Sequence, residues 1–561
     1  MSQGNEFEAE PVQAKDLEPA RHFAASYAGE HVAGTEFVIG AMFVVWGVST
    51  SDVLWGLLWG NLLAVLTWGL ICAPIAVQTR LTLYAYLERI GGVGTIKLYS
   101  VVNGVLFCIL AGAMITVSAS AVRILFNIPA QVNWYPSSMG FVLVALVVGA
   151  VVVFVAIKGF RSVARFAEVC APWMILMFVA GALSMLPVLM AQTPAEQGEG
   201  SLALMSRAAD TFIWTGSGEG LSLWHVAAFA WICNLAMHGG LSDMTVLRFA
   251  RQSRYGYFSA LGMFIGHYMA WVCAGVMGAG AALLLKSSVT QLDAGAVAYQ
   301  ALGAAGIVAV IIAGWTTSNP TIYRAGLAFQ SVNPRWNRTV VTAVTGVATT
   351  IIACFPFVFT RLMDFVGLMG LVLAPIGAVI VAEHWLFPRL GLTRYWIKYS
   401  QRTTNWAALI TWGFSLLVAW LLEQQGLHLF FLLIPVWLCA TLTYCVLASM
   451  MGAKEAHAEQ VAEHENKERI RREDEANYLQ QLQDKSVLNR LVKPTKKLQI
   501  SRALALASLV VCALMAVVVY CGGALDVFRD WLLLPSLIYF VCAIIWSMEK
   551  EKRDASVAEQ S

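Results

Sequence analysis

The sequence predicts an all-α polytopic membrane protein organised as a five-plus-five inverted repeat, with twelve core spans followed by two extra C-terminal ones. Three observations lead there. Long apolar runs recur along almost the whole 561 residues, each able to cross a hydrocarbon core of ~30 Å. Basic residues collect in alternate loops between those runs. The first and sixth runs are each interrupted by glycines and ionisable side chains.

Composition supports the first point. Apolar residues make up 58% and charged residues 13%, where soluble domains carry about a quarter charged, and mean hydropathy is +0.67. A soluble enzyme, a nucleic-acid binder and a disulfide scaffold are excluded as the main reading. The 11 Cys show no C-x-x-C pair and lie in or beside apolar runs, so they read as buried thiols. Met1 to Arg21 is polar and acidic and predicts no cleavable signal peptide.

Fourteen spans are expected, at 28–48, 53–77, 99–122, 138–157, 172–191, 224–247, 257–285, 300–323, 339–356, 363–386, 405–422, 430–450, 502–521 and 532–548. Sixteen Lys and Arg fall in one set of loops: Arg80, Arg89, Lys97; Lys158, Arg161, Arg165; Arg248, Arg251, Arg254; Arg324, Arg335, Arg338; and Arg389, Arg394, Lys398, Arg402. The opposite loops hold four: Arg123, Arg207, Lys286 and Arg361. Positive charge stays inside, so both termini are expected in the cytoplasm of an inner or plasma membrane. The resulting plan is a tail at 1–27, a first repeat at 28–191, an external loop at 192–223, a second repeat at 224–386, spans eleven and twelve within 387–452, a charged segment at 453–501, the extra spans within 502–548 and a tail at 549–561.

The charged segment is distinctive. Residues 453–497 carry 10 Lys/Arg and 9 Asp/Glu. Mixed signs without a break predict a solvated cytoplasmic helix, dispensable for the membrane core. It is also where a cytoplasmic partner or a second copy of the chain would attach.

The interruptions point to a site. Span one contains Gly29-Glu30-His31-Val32-Ala33-Gly34-Thr35-Glu36, and span six contains His238-Gly239-Gly240-Leu241-Ser242-Asp243. Five spans separate them, so they run in opposite directions, as paired broken helices in an inverted repeat do. Broken backbone in a membrane must line a cavity or hold a ligand. In span eight, Ala313-Gly314-Trp315-Thr316-Thr317-Ser318-Asn319-Pro320 puts the Ala313 carbonyl and the Thr316 and Thr317 hydroxyls on one helix face. With two carbonyls from a broken span, these oxygens suit a small hard cation such as sodium.

These stretches resemble a known family. Trp46-Gly47-Val48-Ser49 through Gly60-Asn61-Leu62-Leu63 is similar to the first loop and second helix of the nucleobase:cation symporter-1 family, in its purine-cytosine permease branch. Lys158-Gly159-Phe160-Arg161, His238-Gly239-Gly240 through Arg248-Phe249-Ala250-Arg251, Trp315-Thr316-Thr317 through Leu327, and Pro375-Ile376-Gly377 with Glu383-His384-Trp385 extend the likeness over about 28–450. The resemblance implies the LeuT-type fold and a sodium- or proton-coupled importer working by alternating access. It matches Thr316 and Thr317 to cation-site hydroxyls and puts Glu30 and Ala33 near two first-helix carbonyl ligands. The substrate pocket departs from the family. Its helix-three Trp and nearby Gln positions read Ile109 and Leu106, with Phe107 the nearest aromatic. The helix-six aromatic position reads Ala236, and the helix-six Asp position reads Thr245, two residues after Asp243.

The sequence therefore predicts a symporter for a small polar, nucleobase-like or related heterocyclic solute. Expected substrate contacts are Thr35, Glu36, Asn103, Phe107, Asn234, His238, Trp315 and Asn319. The expected cation ligands are Glu30, Ala33, Ala313, Thr316 and Thr317. No cofactor is expected beyond sodium or a proton, no nucleic acid binds, and the partners are the bilayer and the solute. If Glu30 carries a proton, coupling is to pH instead. His267 reads as a hydrogen-bonded core residue, and Glu383 with His384 as a solvated helix end. A transporter-fold sensor signalling through 453–497 is the alternative class. An intramembrane hydrolase is disfavoured because neither H-E-x-x-H nor G-x-S-x-G at a helix start occurs.

Overall fold

The structure, a computed structural model, describes residues 10–560 apart from 158–159, 195, 197, 199, 219–220, 334 and 490–494. The motif residues Lys158 and Gly159, and 490–494 of the charged segment, thus lie outside the described residues. What is described is helical, with only isolated bridges and no strand. Span 1 is the bent pair Ala20–His31 and Thr35–Val45, turned by 50°. Spans 2 to 5 are Thr50–Thr79, Leu83–Phe126, Met139–Ala156 and Arg165–Met190. Span 6 is broken into Leu223–Ile232, Leu235–His238 and Met244–Leu247. Spans 7 and 8 are Ser253–Leu285 and Ala304–Val332, span 9 is the shorter Arg338–Ala353, and span 10 is Arg361–Arg389. Spans 11 to 14 are Trp406–Gln424, Leu433–Met451, Lys496–Tyr520 and Leu525–Arg553. The expected five-plus-five repeat with two extra helices is what the chain forms.

Several boundaries move, and three of them matter to the site. Span 1 begins at Ala20, not 28, so its break at Val32–Gly34 falls mid-span and Glu30 is buried. Span 8 begins after Gly303, whose φ of 61° ends the separate helix Ala294–Leu302. It then runs on to Val332, so Arg324 sits inside the membrane helix at 2% exposure and is no loop residue. Hydropathy placed that end early because Arg324 and Gln330 read as polar loop.

The span 6 break has a local cause. Asn234 leaves helical geometry (φ −113°, ψ 24°), Gly239 and Gly240 follow, and Leu241 takes a left-handed φ of 61°. Span 10 packs directly on this unwound stretch. A Cβ on Gly377 would sit 1.8 Å from the Gly239 carbonyl oxygen, so only glycine admits the approach. Span 8 lies along span 3, and span 1 contacts spans 5, 7 and 8. Spans 4, 9, 11 and 12 turn Leu143, Val147, Val344, Ile351, Leu438 and Leu442 outward, as a lipid-facing shell does. Spans 13 and 14 dock on span 5: Trp173 Nε1 donates to Ser536 Oγ at 2.9 Å and Tyr539 OH to the Val169 carbonyl at 2.7 Å.

The charged segment is not free in solvent, contrary to expectation. Its helix, Ala458–Asn489, lies against the face that carries the basic loops. Arg80, fully buried at the end of span 2, pairs with Glu475. The same guanidinium donates to the carbonyls of Arg248 and Ala250 at the end of span 6. Arg471 donates to the Gln78 carbonyl at 2.6 Å, and the His464 ring meets Tyr395 edge-on at 4.9 Å. Composition showed the solvated face of this helix and could not show the docked one.

Glu383 and His384 are likewise buried, not solvated. Glu383 accepts from the Tyr395 amide at 2.7 Å and from Tyr444 OH. His384 sits between Tyr86 OH and Gln78 Oε1, each at 2.9 Å. They tie span 10 to the ends of spans 2, 3 and 12.

Candidate functional site

The two breaks and span 8 meet at one place. Thr317 Oγ1 donates to the Glu30 carbonyl at 2.9 Å, across spans 1 and 8, and lies 3.2 Å from the Ala313 carbonyl. Thr316 Oγ1 bonds the same Ala313 carbonyl at 3.0 Å. Four of the five oxygens expected of a cation site therefore converge. Ala33 lines the adjoining cavity beside Thr317. These donors are neutral oxygens of the kind hard cations take; among the described residues no cluster of three His, Cys, Asp or Glu suits a transition metal.

Seven residues further along span 8, about 10 Å at 1.5 Å per residue, Arg324 gathers two carboxylates. Its Nη1 and Nη2 donate to Glu30 at 2.5 and 3.1 Å, and Nη2 also donates to Asp243 at 2.8 Å. All three groups are under 10% exposed. Asp243 accepts further from Trp68 Nε1 at 2.7 Å and Tyr27 OH at 3.2 Å. Span 8 is thereby locked to the broken halves of spans 1 and 6, between the cavity and the basic face. The sequence singles out Glu30 and places Asp243 in the span 6 break, but it assigns Arg324 to a loop, so the pairing itself is not legible there. The pairing also engages both Glu30 carboxylate oxygens, which removes them as cation ligands while leaving the Glu30 carbonyl available.

The cavity lies on the other side of this lock. Of the expected substrate contacts, Thr35, Glu36 and Asn234 line it. Glu36 accepts from Trp271 Nε1. His267 stacks on Trp271 with centroids 4.4 Å apart and lies 3.1 Å from Asn234 Nδ2; it is hydrogen-bonded, as expected, but it also lines the cavity. His31, Cys233, Trp271 and Thr321 complete the polar lining; helix-face position relative to Thr317 could have flagged Thr321, whereas Trp271 needed the packing of span 7.

The remaining expected contacts lie elsewhere. Asn103 donates to Tyr84 OH and Tyr99 OH at 3.2 and 3.4 Å, and Phe107 is fully buried among apolar neighbours. Leu110 and Met114, further along span 3, line the cavity in their stead. His238 Nε2 lies 2.9 Å from the Trp231 carbonyl, satisfying backbone freed by the break, and its ring packs 4.8 Å from Trp68. Trp315 turns away from the cavity toward Phe166 and spans 3 and 4. Asn319 bonds back to the Trp315 carbonyl at 2.9 Å.

No protein-family model and no curated protein sequence matches the chain. Solved structures do. Mhp1, described as a nucleobase-cation-symport-1 family transporter in a closed conformation with bromovinylhydantoin bound, superposes with a TM-score of 0.60 at 14% identity, covering 82% of this chain and 98% of that one. The inward-facing form of Mhp1 gives 0.61 at 15% identity, covering 81% and 96%. A Na+-coupled sialic acid symporter in a substrate-bound outward-open state gives 0.56 at 14% identity, covering 81% and 94%. The chain has the fold of these transporters. It is the LeuT-type fold, and spans 13 and 14 extend it.

Proposed function

We propose that this protein is a secondary active symporter of an inner or plasma membrane, with both termini cytoplasmic, importing a small polar solute by alternating access. The single observation that carries the reading is the Thr317 hydroxyl seated between the carbonyls of Glu30 and Ala313, where a broken span meets an unbroken one. Sodium is the coupling ion in this reading. It would be held by the carbonyls of Glu30, Ala33 and Ala313 and by the hydroxyls of Thr316 and Thr317, and in binding would order the span 1 backbone that lines the cavity. The cavity with Thr35, Glu36 and Asn234 takes the solute. A nucleobase-like ring is the family's substrate class, and the altered span 3 and span 6 positions leave room for a related heterocycle. Coupling by a proton on Glu30 is the weaker reading, because Arg324 already engages both oxygens of that carboxylate.

Sodium alone tests the proposal. In potassium buffer, adding sodium to about ten times its dissociation constant should stabilise the purified protein by about 1.4 kcal/mol. Thr316→Val with Thr317→Ala should remove that shift while the potassium-buffer melting temperature changes little, since both hydroxyls bond only backbone carbonyls there. Stabilisation by sodium that survives the double substitution sinks the site. Uptake driven by a pH gradient without sodium sinks the choice of ion.

A further inference from the structure

Acidic side chains at and beside the cavity outnumber basic ones. Glu30 and Asp243 share one guanidinium, that of Arg324. Glu36 is a third carboxylate, 3% exposed and on the cavity wall, and no Lys or Arg lines that wall with it. Its Oε2 accepts from Trp271. Its Oε1 lies 3.9 Å from His267 Nε2, beyond hydrogen-bond reach. Counted as side chains, three carboxyls outnumber the one guanidinium by two, and burying a carboxylate without an opposite charge is costly. Sodium at the Thr317 site balances one of them. The second, on Glu36, has no protein partner of opposite charge on the wall it faces.

The neighbouring histidines are hydrogen-bonded. His31 Nδ1 lies 2.9 Å from the Tyr27 carbonyl and donates to it. His267 Nε2 lies 3.1 Å from Asn234 Nδ2 and accepts from it. Ile39, Leu110, Met114, Leu362 and Val366 give the wall an apolar part. A ligand that satisfies this cavity brings N–H donors and one positive charge on a small apolar body. It brings no carboxylate.

Resting on the transport reading above, we propose that Glu36 determines specificity, and that the solute is a small organic monocation bearing N–H donors, of amidinium or ammonium type. Sodium and such a solute together bring the site to electrical neutrality, which ties the two binding events by charge as well as by backbone order. Anions are disfavoured because the wall carries the Glu36 carboxyl and no Lys or Arg.

Two isosteric trios test this on the purified full-length chain: benzamidine, benzamide and benzoate, and the smaller acetamidine, acetamide and acetate. Each is titrated in sodium and in potassium with the melting temperature as readout. The amidinium of at least one trio should stabilise the protein with an apparent affinity about tenfold or more above its amide, and the carboxylate should not stabilise it. Glu36→Gln, which keeps an acceptor for Trp271, should abolish that preference and retain the sodium shift. Equal stabilisation by an amide or a carboxylate overturns the proposal, as does an amidinium preference that survives Glu36→Gln, or no stabilisation by either amidinium. The sodium shift separates the two readings. Its absence in the unaltered protein counts against transport, whereas its presence without an amidinium preference counts only against the solute class.

Discussion

Arg324→Met is expected to destabilise the protein by about 3–5 kcal/mol, enough to cost most of the monodisperse yield. Breaking a buried ion pair from one side leaves the other side's charge unpaired in low dielectric, and that uncompensated charge is the larger part of the loss. Here two carboxylates, Glu30 and Asp243, lose their shared cation at once. Trp68 and Tyr27 still donate to Asp243, so Glu30 suffers more. The control follows from the same physics. Adding Glu30→Gln and Asp243→Asn to Arg324→Met removes the charges together and should restore most of the stability, because replacing a whole buried charged cluster is often neutral. Size-exclusion profile and melting temperature read both variants. An Arg324→Met protein as stable as the parent would show that the triad is not a structural lock.

The same three residues mark where sequence reading ends. The fold was legible because it rests on properties that add along a chain: apolar length, the alternation of basic loops, and glycine placed with charge at matched points of spans 1 and 6. The meeting of span 8 with the span 1 break was legible for a similar reason. Ala313, Thr316 and Thr317 share one helical face, and the break fixes which carbonyls can meet them. What could not be read was pairing between distant segments. Arg324 looked like every other basic residue after an apolar run until Glu30, 294 residues away in sequence, closed on it. Asn103, His238 and Asn319 were chosen as polar residues in the expected spans. Each instead satisfies a local demand, a tyrosine hydroxyl or a backbone carbonyl within its own helix or break. Buried polar groups find partners, and a polar residue in a span is as readily used up by the fold as offered to a ligand. Glu36 differs because its partners, Trp271 and Thr35, are neutral donors and it lines the cavity.

Glu475→Lys is expected to release the charged helix from the basic face, with a loss of about 2 kcal/mol and rapid proteolysis within 458–489. Arg80 is wholly buried and Glu475 is 16% exposed, so the pair is more than a surface contact, and a charged hydrogen bond of this kind contributes about 1.5–3 kcal/mol. Arg80 keeps its carbonyl acceptors at Arg248 and Ala250, which holds the loss below that expected for Arg324. About two turns away, Glu468 pairs with His464 and Arg472 of its own helix and feels the charge of Arg394. Burial raises its pKa, but His464, Arg394 and Arg472 together bring it down to about 2. A depressed carboxylate contributes stability above its ordinary value near 4.5 and loses it only as pH falls toward 2, so this contact persists through the neutral range. The helix joins the ends of spans 2 and 6, through Arg80 and Gln78, to Tyr395 in the connection after span 10. If transport separates those ends to open the cavity toward the basic face, the helix opposes that opening. Cys72 is a native reporter of that opening, since it is fully buried in span 2 with its thiol 3.9 Å from the Met237 carbonyl at the span 6 break. Its alkylation by a maleimide, followed by mass spectrometry, should rise in Glu475→Lys and rise again when residues 453–561 are removed. Unchanged labelling in both variants would mean that the helix rests on the membrane core without restraining it, and that the core works as the twelve spans alone.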